Sequence, residues 1–296
     1  MKDTFSSYHP LVNMFFFSLV LFFSMFFMHL ACLAISFISA FTYSVYLNGK
    51  KALRFNMAVL FPMLVFTALA NPLFNHRGGT ILTYLPSGNP LTLESIAYGL
   101  AAALMLCAVI GWFSCFNTIM TSDKFVYLFG RFFPSLALIL SMTLRFVPYF
   151  KTQIKSISDA QKCIGRDVSS GSVLKRVHHG MRILSIMVTW ALENSIETAD
   201  SMKGRGYGLP GRTEFSIFRF ARRDWVASAY LLLCTVYIYT CCLLGGLYFR
   251  YFPTIKGVFL TPYSVSLFIV YAGLCLMPLL LGIKEDLKWK SIRSKI

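Results

Sequence analysis

The stretch Pro10–Gly49, PLVNMFFFSLVLFFSMFFMHLACLAISFISAFTYSVYLNG, fills the interval between His9 and Lys50 without one Asp, Glu, Lys or Arg. A bilayer is crossed by a helix of ~20 apolar residues, so the run holds two short spans, roughly Leu11–Met28 and Leu30–Leu47. Neither Gly nor Pro marks a turn between them, and a single tilted span is the competing reading. A cleavable signal is ruled out, because the run is too long and no small-residue cleavage site follows a short apolar core.

The rest of the chain agrees with a membrane setting. Of 296 residues, 56% are hydrophobic and 14% charged, with 29 Phe. A soluble domain carries ~25% charged residues, so a soluble enzyme is excluded, and the low polarity excludes a disordered chain. Further apolar segments run over Phe55–Ala70, Leu91–Met120, Trp225–Leu247 and Pro262–Gly282. Within the Leu91–Met120 segment Gly99 and Ala103, and Ala97 and Ala101, place small residues four apart, a spacing suited to close helix packing.

The net charge of +16 must therefore be gathered outside the lipid. Lys50, Lys51 and Arg54 follow the first run, fourteen Lys and Arg lie between Arg145 and Arg223, and the tail carries Lys284, Lys288, Lys290, Arg293 and Lys295. With six spans these clusters share one side, which the positive-inside rule makes cytoplasmic, with both termini inside. Arg77, Arg250 and Lys256 fall on the other. The expected divisions are residues 1–120 and 225–283 as membrane helices, 121–224 as a cytoplasmic helical region, and 284–296 as a basic tail. The fold class is all-α and polytopic.

The cytoplasmic region reads as two long helices. The first passes Arg145 and Pro148, where a kink or restart is expected, and continues along an apolar stripe at three-residue spacing, Ile157, Ala160 and Cys163. Ser and Gly cluster from Asp167 to Ser172 and break it. The second helix is expected from about Val173 to Lys203, stopped by Gly204, Gly206 and Gly208 with Pro210 beyond. The two ends match: Ile157, Ala160, Cys163, Gly165 and Arg166 recur as Ile196, Ala199, Met202, Gly204 and Arg205, 39 positions later. Two helix ends with a cation near the negative pole are ordinary; the sharper reading is that each presents an apolar stripe and an Arg to a partner that comes as a pair.

Chemistry-bearing constellations are not found. Glu94 is the one acid near a span, which leaves ion-coupled transport almost no titratable material. Asp159 and Asp167 lack the spacing of a metal site, and His178-His179 is an adjacent pair. The eight Cys form no CxxC, so neither disulfides nor zinc are expected. Gly204-Arg205-Gly206-Tyr207-Gly208 follows a helix where a phosphate loop opens one, and it lacks the Lys-Ser/Thr ending. No cofactor, metal or nucleotide site is expected.

The segment Asn71-Pro72-Leu73-Phe74-Asn75-His76-Arg77-Gly78-Gly79-Thr80-Ile81-Leu82 with Glu94–Gly99, the segment Leu144-Arg145-Phe146-Val147-Pro148 leading to Ala160-Gln161 and Gly165-Arg166-Asp167, and the Ala199–Gly206 element resemble the transmembrane T component of energy-coupling factor (ECF) vitamin and metal importers. The resemblance covers roughly residues 11–283. It implies two cytoplasmic coupling helices, each ending in a short Arg-centred motif that docks in one of two ABC-type ATPase subunits, and a membrane-embedded S component that binds substrate. Both central Arg residues are kept, while the flanks depart from the usual Ala-Arg-Gly, most clearly at Asp167. On this reading the chain is a non-catalytic scaffold in a prokaryotic plasma membrane, with the ATPase pair, the S component and lipid as partners and no nucleic acid. The apolar surface around Leu136–Phe146 would receive the S component. The alternatives are a membrane enzyme using the polar insert and a secondary transporter acting alone.

Overall fold

The computed structural model describes residues 4–84, 90–169, 171–207, 209, 218–257 and 261–293, without the side chains of residues 131, 132, 134, 135 and 137. Ser170, Gly208, Pro210 and Lys295 thus lie outside the described residues. Two compact units emerge: Met1–Lys124 with Phe218–Ile296, and Phe125–Ile217.

The first unit is a bundle of apolar helices. Its elements are α1 (Pro10–Phe26), α2 (Leu30–Asn48), α3 (Lys50–Phe55), α4 (Phe61–Phe74), α5 (Leu93–Ile119), α9 (Arg222–Leu243) and α10 (Pro262–Arg293). A π-helical turn, Asn56–Leu60, joins α3 and α4 into one helix, Lys50–Phe74. Among the described residues five helices are long and apolar enough to cross a bilayer; α1, with 17 residues, sits at the lower limit of ~17–25.

The uninterrupted run thus folds as two helices. Its break falls at Phe27–His29, and the cap is histidine: His29 Nδ1 accepts from Ala31 N at 3.2 Å, as His9 does from Leu11 N at the start of α1. Tyr251 Oη donates to the Met28 carbonyl at 2.7 Å, so a distant hairpin satisfies the interruption.

The helix expected at Phe55–Ala70 is longer at both ends, and Arg54, Asn71 and Pro72 lie within it. Pro72 has no N–H for the carbonyl of Ala68. Gly99 of α5 lies over that oxygen: a Cβ there would sit 2.8 Å from Ala68 O and 3.3 Å from Pro72 Cδ. The proline and the glycine of two distant motifs therefore form one helix contact, with Ala103 fully buried one turn on. Helix α10 continues into the basic tail as far as Arg293.

At the centre Trp112 is wholly buried against Phe16 and Phe17, with ring centroids at 5.8 and 6.4 Å. Its Nε1 donates to Ser36 Oγ at 3.0 Å, Ser36 pairs with Ser24 at 2.6 Å, and Ser24 meets Tyr271 Oη at 3.4 Å. Buried polar groups thus tie α1, α2, α5 and α10 where lipid would leave them unsatisfied.

The contacts of this unit also sort its ends. His9 N donates to Asp224, Lys124 Nζ to Ser6 O, Arg223 to Ser7 O, and Tyr46 Oη to Asp286, all between 2.6 and 3.1 Å. Lys50, Lys51, Arg222 and Lys284 adjoin these residues, so this is the basic end. At the other end two hairpins meet, β1 (Ile81–Tyr84) with β2 (Pro90–Thr92) and β3 (Phe249–Arg250) with β4 (Lys256–Gly257). Gly79 N donates to Pro253 O at 2.9 Å, Thr80 N to the Glu94 carboxylate at 3.2 Å, and Ser95 Oγ to Asn75 O at 2.6 Å. Glu94, the one acid expected near a span, is a loop anchor here. A Cβ on Gly78 would fall 2.6 Å from its carboxylate, which is why glycine stands there.

Candidate functional site

The second unit is built around α7 (Pro134–Cys163) and α8 (Val173–Gly204), preceded by α6 (Ser122–Phe132), which begins in the first unit. Helix α7 runs unbroken through Pro148, and Thr152 Oγ1 donates to the Pro148 carbonyl at 3.1 Å. The expected kink or restart is not a break in the helix.

Helices α7 and α8 cross near their midpoints. Trp190 lies 5.1 Å from the Tyr149 ring and 5.7 Å from Phe150, which stacks on Phe146. From this crossing α7 continues 13 residues to Cys163 and α8 14 residues to Gly204, an arm of about 20 Å each at 1.5 Å per residue. The arms point to opposite sides of the crossing, because α8 doubles back from the loop that ends α7.

Both arms stop in the same way. Gly165 N donates to Lys162 O and Arg166 N to Gln161 O, each at 3.0 Å. In α8 Gly206 N donates to Lys203 O and Tyr207 N to Met202 O, again at 3.0 Å. These are Schellman caps, with Gly165 at φ 75° and Gly206 at φ 78° in the left-handed position that favours glycine. The structural repeat is therefore offset from the 39-residue sequence repeat. Cap for cap, Gly165 corresponds to Gly206 and not to Gly204, so Arg166 follows the left-handed glycine and Arg205 precedes it. A shift of two residues turns a helix face by roughly 200°, so the two stripes face differently relative to their caps.

The stripe residues are largely open to solvent or partner. Ile157 and Met202 are half-buried; Ala160, Cys163, Ile196 and Ala199 are exposed, as are Gly165, Arg166, Gly204 and Arg205. Asp167 is turned inward locally. Its carboxylate accepts from Ser169 N at 2.9 Å and Ser169 Oγ at 2.6 Å, and Lys162 Nζ stands 3.8 Å away. Those Ser169 hydrogen bonds, more than the neighbouring cations, hold its carboxyl below the usual range. Asp167 therefore serves the α7–α8 turn, where Arg176 Nε also donates to Val168 O at 2.9 Å.

A concavity of about 750 Å³ lies between α7 and the second half of α8. Arg145, Tyr149, Glu197, Thr198 and Arg205 line it together. Arg145 and Arg205 belong to different motifs, and the sequence pattern did not join them. Glu197 and Thr198 went unnoticed as well; their signal is their placement on the α8 face about two turns before Arg205. Among the described residues no group of three His, Cys, Asp or Glu could hold a metal ion. His178 and His179 sit with ring centroids 6.2 Å apart on exposed or half-buried positions.

Comparison with known proteins places this architecture. A family model described as cobalt transport protein, CbiQ, matches residues 7–217. The chain is 36% identical over 101 residues to an energy-coupling factor transporter transmembrane protein, EcfT, of Lacticaseibacillus paracasei, covering 34% of this chain and 38% of that one. Longer matches join it to proteins of the same description from Listeria monocytogenes, 27% identical over 64% of this chain and 73% of the relative, and Streptococcus equi, 24% over 70% and 78%. The first of these matches thus spans little more than a third of its relative's length.

Proposed function

The chain belongs to the CbiQ cobalt transport protein family, the family of energy-coupling factor T components, and on that premise we propose that it is the membrane scaffold of an ATP-driven vitamin or metal importer. Two ABC-type ATPase subunits supply the hydrolysis, and a membrane-embedded S component carries the substrate. The basic end faces the cytoplasm of a prokaryotic cell, with both termini inside, in keeping with the positive-inside rule.

The observation that carries this reading is the pair of equal helical arms, each closed by a glycine cap beside an exposed Arg and an exposed apolar stripe. A guanidinium makes forked, charge-assisted pairs with a carboxylate, and an apolar stripe on a helix suits a groove. ATP-driven closure of the two subunits moves the arm tips relative to each other. The crossing at Trp190 acts as the pivot, and the motion reaches the apolar stretch Leu136–Phe146, where Leu136, Ile139 and Leu144 are exposed to receive the S component. Arg145 and Arg205, sharing one concavity, link that surface to the second arm.

The test is assembly. The chain is purified with candidate ATPase subunits, and the double variant R166E/R205E is compared with the parent. Loss of ATPase co-purification with an intact membrane unit is expected. A double variant that assembles and drives uptake normally would sink the proposal.

A further inference from the structure

At the basic end of the membrane unit, a groove of about 550 Å³ opens between α9 and α10. On α9 its wall is Val226, Ala227 and Tyr230, and on α10 it is Gly273, Met277 and Leu280. These residues recur at three- and four-residue steps, so each helix contributes one face. The helices run antiparallel, which brings Arg223 and Lys284 together at one mouth of the groove and Tyr230 and Gly273 together at its depth. A Cβ on Gly273 would lie 3.1 Å from Tyr230 Oη, so the glycine keeps the deep end open only to a slender group. From mouth to depth the faces span about 10 Å on α9 and 16 Å on α10. That is on the order of one leaflet's hydrocarbon depth, half of ~30 Å.

We propose that this groove holds an anionic phospholipid, with one acyl chain between α9 and α10 and its phosphate between Arg223 and Lys284. Charge complementarity and the apolar walls favour this occupant. The Arg223 guanidinium is held in place, donating to Ser7 O at 2.6 Å and Ser7 Oγ at 3.2 Å while stacking 5.1 Å above the Tyr8 ring. Three of its five N–H donors stay available to an anion. Lys284 is exposed, with Lys288 one turn beyond it. Two acids share this end with the cations, and both act on the Tyr8 hydroxyl at the mouth. Asp224 is buried and accepts from His9 N and Ala221 N, and Glu285 lies a residue round the helix from Lys284. A free phosphate would leave the apolar trough empty, whereas a lipid fills both parts. Val226, 71% exposed, and Leu280, 56% exposed, stand at the rim where a chain enters from the bilayer.

The full-length chain in mild detergent is incubated with dioleoyl phosphatidylglycerol or dioleoyl phosphatidylcholine, and retained lipid is counted by native mass spectrometry. One phosphatidylglycerol per chain is expected in preference to phosphatidylcholine. K284Q, which disturbs no contact seen in the fold, should lower that preference about fivefold, the weight of one basic side chain at an anionic surface. R223Q should lower it at least as far, and R250Q/K256Q at the opposite end should leave it unchanged. Equal retention of the two lipids, a preference that survives K284Q and R223Q, or displacement of phosphatidylglycerol by inorganic phosphate alone would overturn the proposal. So would a protein partner seated in the groove of the purified complex.

Discussion

In the membrane unit Trp112, Tyr43, Phe16, Phe17 and Tyr271 are wholly buried, whereas α7 and α8, with 30 and 32 residues, bury only Ile183 and Met187 among their described residues. The first unit closes on itself through side chains from α1, α2, α5 and α10. The second holds two long amphipathic helices to each other mainly at one aromatic crossing. A helix takes most of its stability from the packing of its apolar face. The helix pair leaves apolar stripe residues open, while the bundle buries its large aromatics.

The sharpest way to break that comparison is a tryptophan in each unit. Trp112→Ala should cost about 3–5 kcal/mol, the range for a large buried aromatic, and free Ser36 as well. Thermal unfolding in detergent should fall accordingly. Trp190→Ala should leave that melt nearly unchanged and instead speed hydrogen exchange along α7 and α8. Equal losses of melting temperature from both would show that the crossing is as much a core as the bundle is.

Smaller effects sharpen the same contrast through glycine. Gly99→Leu forces α4 and α5 apart at the Ala68 carbonyl and should cost on the order of 1–3 kcal/mol, read as reduced folded yield. Gly206→Ala puts a Cβ at φ 78° and should cost about 1–2 kcal/mol, confined to exchange rates at the end of α8. Gly180→Ala, with open space around it in mid-helix, should go the other way and stabilise α8 by up to about 1 kcal/mol.

The mildest expectation concerns pH. The Asp167 carboxyl is held low by Ser169, so its contribution to the α7–α8 turn is complete above the ordinary carboxylate range and is lost as pH falls through its depressed value. Amides of residues 164–169 should lose protection only in that acid window, and Asp167→Asn should abolish the pH dependence. A turn equally protected on both sides of the window would contradict this.

Much of this contrast is legible along the chain. Apolar runs mark the bundle, and Gly165, Gly204 and Gly206 mark the ends of the arms, because helix stops are local chemistry. What stayed hidden depends on residues far apart in sequence. The break at Phe27–His29 has neither Gly nor Pro, and the Met28 carbonyl is met by Tyr251. The Pro72 interruption is absorbed by Gly99, and residues 75–80 of the Asn71–Leu82 motif form a loop anchored on Glu94. The two Arg elements match at 39 positions in sequence, yet their caps superpose at 41, since left-handed geometry follows Gly165 and Gly206 whichever side the Arg stands on. Arg145 and Arg205 meet in one concavity only because α8 folds back across α7.

We propose that the open arms are completed by an ATPase pair. Hydrogen exchange over residues 157–166 and 196–207, with and without the two ATPase subunits, tests it most directly. Protection of both segments on complex formation, abolished by R166E/R205E, is the expected result. Complex formation that leaves both segments exchanging as in the isolated chain would contradict the account.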